Sequence, residues 1–357
     1  MKLVTRGVLV VVLLAALMVP LSAAAQEEMP CFGLSAGDCA LMYSANMDEV
    51  TSFTQNYTLT LFVTDAVDFS SDGGGNFSKF PLVKEPLKSF AMDMILNGSM
   101  SDLTTGVTEA GSMEFRIIDG MFYLFAEGEG WLGLKIEDAV QVLAEEGDFE
   151  AMGIDLEGLL SGEIEEMAVP EEEFDVTALN ALIMPYVTAL RGADITVGGN
   201  AVAVFTTTFD LGAMLTALGQ DPTAFNEVLN EMISAAAEAG ALDQADMTEE
   251  DLQMVTAFLP MLGFFFSDAT VSVTQHVGVV DNYLYGFGLN LDITIDPMMA
   301  ASMMGEAADP EAEPVDIRLS FLVELTNHNQ TFTYTAPETY TEITEDMMRS
   351  GMDFGDF

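Results

Sequence analysis

Few side chains in this sequence are suited to chemistry. There are two histidines, His276 and His328, and two cysteines, Cys31 and Cys39. A catalytic base needs a partner within hydrogen-bonding reach and a cleft to hold both. His276 falls on the polar side of a strand pattern and His328 sits in the turn-like Asn327-His328-Asn329, so both read as ordinary surface. No Gly-x-Ser-x-Gly elbow, phosphate loop or dinucleotide fingerprint occurs. The chain has 58 Asp and Glu residues, so many that a carboxylate pair could always be found and none is diagnostic. These features predict no enzyme and no cofactor.

Asp65, Asp68 and Asp72 lead into Gly73-Gly74-Gly75, and carboxylates in a glycine-rich loop are the hard oxygen ligands that calcium prefers. The segment lacks the alternate-position acids and distal Glu of an EF-hand loop. It reads instead as a flexible acidic loop, and no metal site is predicted.

Cys31 and Cys39 have to be judged with what precedes them. Lys2 and Arg6 open the chain, an apolar run follows from Val8 to Leu21, and Ser22-Ala23-Ala24-Ala25 ends it. That is the pattern of a secretory signal peptide cleaved near Ala25. The run is shorter than the roughly 20 apolar residues a membrane-spanning helix requires. Pro30 and Met29 stand before Cys31 where a lipid-attachment box would need small residues. The greasiest later stretch, Phe258 to Phe266, is broken by Pro260 and Gly263, so no transmembrane segment is expected in the mature chain. In an oxidising compartment the two cysteines predict a small local disulfide that pins the N-terminus. The expected location is secreted or periplasmic.

The formal charge is −48, and removing Lys2 and Arg6 with the leader takes it to −50. Such a surface repels phosphate backbones and anionic headgroups, so nucleic acid is not an expected partner. The acids are scattered or in short runs such as Glu171-Glu172-Glu173. They suit a solvated coat for high salt, a cation-binding surface, or solubility for an apolar chain; the first and third together are favoured.

Half of the residues are apolar, enough for a packed core. Tyr57, Leu59, Leu61 and Val63 alternate with threonines, and Phe90, Met92, Met94 and Leu96 also recur at period two. Asp119-Gly120 joins two apolar runs as a hairpin turn. Helical patterning from about Ile136 to Arg191 is cut into short pieces by five glycine and proline breaks, and strands return at Asp194 to Val197 and Ala201 to Phe209. Asp221-Pro222 and Thr248-Glu249-Glu250-Asp251 start two amphipathic helices. Tyr283, Tyr285, Phe287, Leu289, Leu291, Ile293 and Ile295 form one apolar face, Ile317 to Leu325 another, and Phe332 and Tyr334 a last short strand. One greasy face and one wet face are the mark of a one-sided antiparallel sheet.

Methionine is abundant, with 25 residues, and flexible thioethers suit either core filling or adaptable apolar surfaces. Met298, Met299, Met303 and Met304 lie between two strands, ahead of an acidic, proline-containing segment. They are read as a possible lid or a flap docked on the sheet.

The order of the second half resembles that of the lipoprotein-carrier superfamily, the LolA and LppX/LprG-like proteins. The residues that carry it are Phe205 to Leu211, the hairpin at Asp281 with its long following strand, and Asn329 to Pro337. In the first half, Phe115 to Tyr123 and then Gly130-Trp131 look like that family's early hairpin and Trp-bearing strand. The resemblance runs from about Phe53 to Glu342. It implies an α+β fold, with a curved antiparallel sheet or incompletely closed half-barrel whose concave apolar face is covered by helices, and a lipid or acyl chain held between.

The expected organisation is a leader over residues 1–25, an N-terminal segment with the Cys31–Cys39 disulfide over 26–52, and one carrier-like domain with helical insertions over 53–342. An acidic tail over 343–357 follows. The expected function is non-catalytic binding of a lipid or other apolar small molecule, and the residues point to no particular protein partner. The ligand-facing candidates are Tyr283, Tyr285, Phe287, Leu289, Leu291, Phe321, Met92, Met94 and Trp131. The alternative is a cell-surface structural or interaction protein with the same fold and a solid core.

Overall fold

The computed structural model describes residues 30–79, 89–126, 130–146, 183–220, 266, 268–295, 314–345 and 347. A single thirteen-stranded sheet dominates them. After helix α1 (Ala36–Tyr43), the first half is a meander of β1 (Ser52–Val63), β2 (Val67–Ser78), β3 (Ala91–Asp102), β4 (Val107–Ile118), β5 (Met121–Ala126) and β6 (Gly130–Lys135). Helix α2 (Ile136–Glu146) follows. The second half contributes β7 (Val187–Arg191), β8 (Ile195–Val197), β9 (Asn200–Asp210), helix α3 (Leu211–Gln220), β10 (Thr270–Gly278), β11 (Leu284–Ile295), β12 (Val315–Thr326) and β13 (Thr341–Ile343).

The strands run in the order β13-β6-β5-β4-β3-β2-β1-β12-β11-β10-β9-β7, with β8 also on β9. Every pairing is antiparallel except that of β13 with β6. Among the described residues the sheet does not close: β13 and β7 are its ends and do not pair with each other. Its two halves join where β1 meets β12, from Thr54 opposite Thr326 to Val63 opposite Ile317.

The local chemistry explains most of these elements. Asp119 (φ 52°) and Gly120 (φ 76°) both take the left-handed conformation, the pair of positive φ values that a two-residue hairpin turn demands. Ser35 caps α1 by accepting from the Asp38 N–H at 3.2 Å, and Asp210 caps α3 by accepting from the Ala213 N–H at 2.8 Å.

Three sequence expectations are corrected. Asp68 to Gly75 is not a loop but the middle of β2, paired on both sides for its full length. The tripeptide Gly73-Gly74-Gly75 is accommodated because neighbouring groups lie where side chains would go: a Cβ on Gly73 would be 2.7 Å from the Tyr57 ring. Val187–Arg191, inside the segment read as helical, is a strand hydrogen-bonded to β9. Phe332 and Tyr334 lie in no strand, and the last strand is instead Thr341–Ile343. The helices expected from Asp221 and Thr248 lie outside the described residues.

Candidate functional site

Residues opposite one another in paired strands share a face of the sheet, so register alone sorts the side chains. One cross-strand row is Val273, Leu289, Phe321, Leu59, Ser71, Gly98 and Gly111. The next row on the same face is Phe209, Val271, Leu291, Leu319, Leu61, Phe69 and Met100, and on the other side runs Phe287, Val323, Tyr57, Gly73, Leu96 and Met113. The opposite face carries Thr208, Ser272, Asn290, Ser320, Thr60, Ser70 and Ser99 in a single row. The greasy and wet faces are thus continuous across the strands from β9 to β4.

The apolar face differs from one end to the other. At its β7 to β11 end it is packed: Leu211, Met214 and Leu215 of α3 cluster with Val187, Phe209, Val271 and Ile293, and Met42 of α1 clusters with Ala203, Phe205 and Val277. Across β12, β1, β2 and β3 the side chains Leu59, Leu61, Phe69, Leu96, Leu319 and Phe321 are half-buried. Side-chain size in the middle row falls from Phe321 through Leu59 and Ser71 to Gly98 and Gly111. Among the described residues, a Cβ at either of those two glycines would meet nothing within 4 Å. With strands about 4.8 Å apart, the small residues Ser71, Gly98 and Gly111 form a trough about 10 Å long from β2 to β4. Leu61, Phe69 and Met100 wall one side, and Tyr57, Leu96 and Met113 the other. Its polar floor groups are tied up: the Tyr57 and Ser71 hydroxyls lie 3.0 Å apart, and Ser71 donates to the Asn97 carbonyl at 2.8 Å.

Six of the sequence-predicted ligand-facing residues fall on this face: Phe287, Leu289, Leu291, Phe321, Met92 and Met94. Tyr285 is buried and its hydroxyl donates to Asp281 at 2.8 Å; burial first, and that bond second, raise the phenol's pKa. Tyr283 precedes β11 and bridges to Asn46. Trp131 stands on the opposite face, since its partner Phe125 pairs with Glu114 while Phe115 and Met94 pair on the apolar side. There the Arg116 guanidinium lies 4.7 Å above the indole. Met298, Met299, Met303 and Met304 lie outside the described residues. The sequence reading missed Phe69, Gly98 and Gly111. The period-two run Val67-Asp68-Phe69-Ser70-Ser71-Asp72 could have revealed Phe69, but the glycines after it masked the strand.

The two histidines stand apart from the trough. His276 shares the wet face with Gly286 and Val204, and its buried Nδ1 has no hydrogen-bond partner among the described residues. Nε2 of His328 is 3.1 Å from the Leu284 carbonyl, with its ring edge-on to Tyr285. Burial lowers the pKa of both imidazoles. Among the described residues no group of three His, Cys, Asp or Glu side chains is placed to hold a metal.

Three solved structures are similar to this chain. LprF from Mycobacterium bovis is 12% identical over 81% of this chain and 90% of its own, with a TM-score of 0.28. Lipovitellin, described for its lipid-protein interactions, is 7% identical over 83% of this chain, which spans 27% of that one, with a TM-score of 0.31. A LolA superfamily protein from Nitrosomonas europaea is 6% identical over 82% of this chain and 94% of its own, with a TM-score of 0.17. No family profile and no curated protein sequence matches the chain.

Proposed function

We propose that this protein is an extracytoplasmic, non-catalytic binding protein that holds a lipid or other apolar ligand against the apolar face of its sheet. The observation that carries the reading is the half-buried surface of β12, β1, β2 and β3, with its open trough at Gly98 and Gly111. Removing such surface from water yields about 25 cal/mol per Å² of apolar area, a driving force that needs no specific polar contact. The leader-like start, the disulfide and the resemblance in residue order to lipoprotein carriers support the same reading.

Mass spectrometry of organic extracts from the purified protein, with uptake of a fluorescent fatty acid, tests it. Bound lipid and saturable uptake are the expected results. Gly98→Leu projects into the trough where none of the described residues stands, so it should weaken uptake at least about tenfold, near the cost of one lost side-chain-sized apolar contact, while leaving thermal stability intact. Repeated absence of both lipid and uptake would sink the proposal. That outcome would favour a cell-surface interaction protein with a solid core, the reading that the packing of Met214 and Leu215 onto Val271 supports.

A further inference from the structure

Charge on the apolar face is confined to one corner. The positions that form this face in β12, β1, β2, β3 and β4 follow from register, alternating along each strand from Phe321, Leu59, Ser71, Gly98 and Gly111. Over the full length of these strands they hold no lysine, arginine or histidine. The two arginines of these strands, Arg116 and Arg318, take the opposite face, opposite Asp93 and Asp292. The only charged residues on the apolar face of the five strands are acidic: Asp102 at the end of β3 and Glu109 on β4.

That corner is where the trough opens. Glu109 stands opposite Met100, in the row of Leu61 and Phe69 that walls the trough on one side. Strand β5 pairs with β4 only from Glu114 to Ile118, so Val107 to Met113 has β3 on one side and, among the described residues, no strand on the other. Every residue of that stretch is exposed, Val107 to 54% and Met113 to 47%. At the opposite end the same row is closed by Leu59 and Phe321. Glu109 forms no hydrogen bond or ion pair with the described residues. One oxygen of Asp102 accepts from the Thr104 and Thr105 N–H groups at 2.8 and 3.0 Å, and hydrogen bonds from these two threonines bring its pKa down to about 2.

The rows of Met100 and Met113 lie directly on either side of the row of Gly98 and Gly111, so the trough is one row wide and takes a single chain. An anionic head at its open end would meet like charge on the wall and a formal charge of −48 behind it. A cationic head would meet an unpaired carboxylate. We infer that the trough takes a single-chain amphiphile with an ammonium head, its tail over Gly98 and Gly111 and its head at the β4 edge against Glu109. The inference rests on the reading of this face as a ligand surface and adds the charge of the ligand.

Dodecylammonium, dodecanol and dodecanoate share one tail and differ in charge. Their affinities for the full chain are measured by titration calorimetry below micelle formation, at low and at high salt. Dodecylammonium should bind about tenfold more tightly than dodecanol at low salt, and dodecanoate less tightly than either, with the spread narrowing as salt screens the charges. Glu109→Gln should cut the dodecylammonium-to-dodecanol ratio about threefold, the scale of one exposed charge pair. Asp68→Asn removes an equal charge from the opposite face of β2 and should leave the ratio as it was. A ratio near unity overturns the inference, as does one that Glu109→Gln changes no more than Asp68→Asn. So does dodecylammonium binding that Gly98→Leu leaves intact, which is attraction to net charge and not to the trough. Failure of dodecanol and dodecylammonium alike to bind sinks the apolar-ligand reading itself, and the inference with it.

Discussion

His276 and His328 show burial outweighing the neighbours that favour protonation. Each would titrate near 6.5 in an unfolded chain, and desolvation depresses both in the fold, with the carboxylate of Glu324 partly opposing the effect at His276. A base whose folded pKa is lowered takes up its proton first in the unfolded state. The stabilisation is therefore complete above about pH 6.5 and declines as pH falls below that toward the lowered folded values. Thermal melts between pH 7.5 and 5.5 should show a fall of roughly 1–3 °C, on the scale of a fraction of a kcal/mol per group in a chain of this size. His276→Leu should flatten that fall, because the Nδ1 it removes has no hydrogen-bond partner. A melt independent of pH across this window would show that neither ring resists protonation. Asp102 behaves oppositely: hydrogen bonds from Thr104 and Thr105 bring it down to about 2, so its contribution persists until strongly acid conditions.

Among the elements, β2 tests how a strand can be built on glycine. Gly75 sits where an added methyl would collide with the Asp93 carbonyl of β3, backbone that cannot turn aside. Gly75→Ala should cost about 1–3 kcal/mol in urea denaturation, the usual range for forced overpacking. Gly98→Ala, with open space around it, should be neutral or gain up to about 1 kcal/mol. Equal effects at the two sites would refute this reading of the strand. The same segment shows what was legible beforehand. Strands β1, β11 and β12 announced themselves because apolar and polar residues alternate without interruption, and that alternation also determined which face would be greasy. Strand β2 was hidden because its inward positions at Gly73 and Gly75 are filled by neighbours, Tyr57 among them, and not by its own side chains. Strand β7 was hidden inside a long segment with helical composition. Trp131 was placed on the wrong side because face assignment in a short strand depends on register with Phe125, which no local pattern contains. Most of the trough was illegible for the same reason, since Ser71, Gly98 and Gly111 come from three strands and meet only through pairing.

At the scale of the whole molecule, acidity outweighs every other electrostatic feature. With a formal charge of −48 the folded chain carries strong self-repulsion, which mobile ions screen over a distance that shrinks from roughly 14 Å at 0.05 M salt to about 3 Å at 1 M. The melting temperature should therefore rise by several degrees over that range in sodium chloride, and an unchanged or falling value would mean that the carboxylates are already neutralised by specific partners. The seam between β1 and β12 has a different kind of consequence. Thr51 and Asn329, which hydrogen-bond at one end of it, are 278 residues apart along the chain. Contacts of such high order are slow to form, because the intervening chain must be made and collapsed before the two strands can find each other. A polypeptide emerging N-terminus first completes β1 to β6 early and then waits, its leading strand without a neighbour on one side, until residue 326 arrives. The interval between those two events, and not the stability of the finished sheet, is when this protein most needs to be kept apart from other copies of itself.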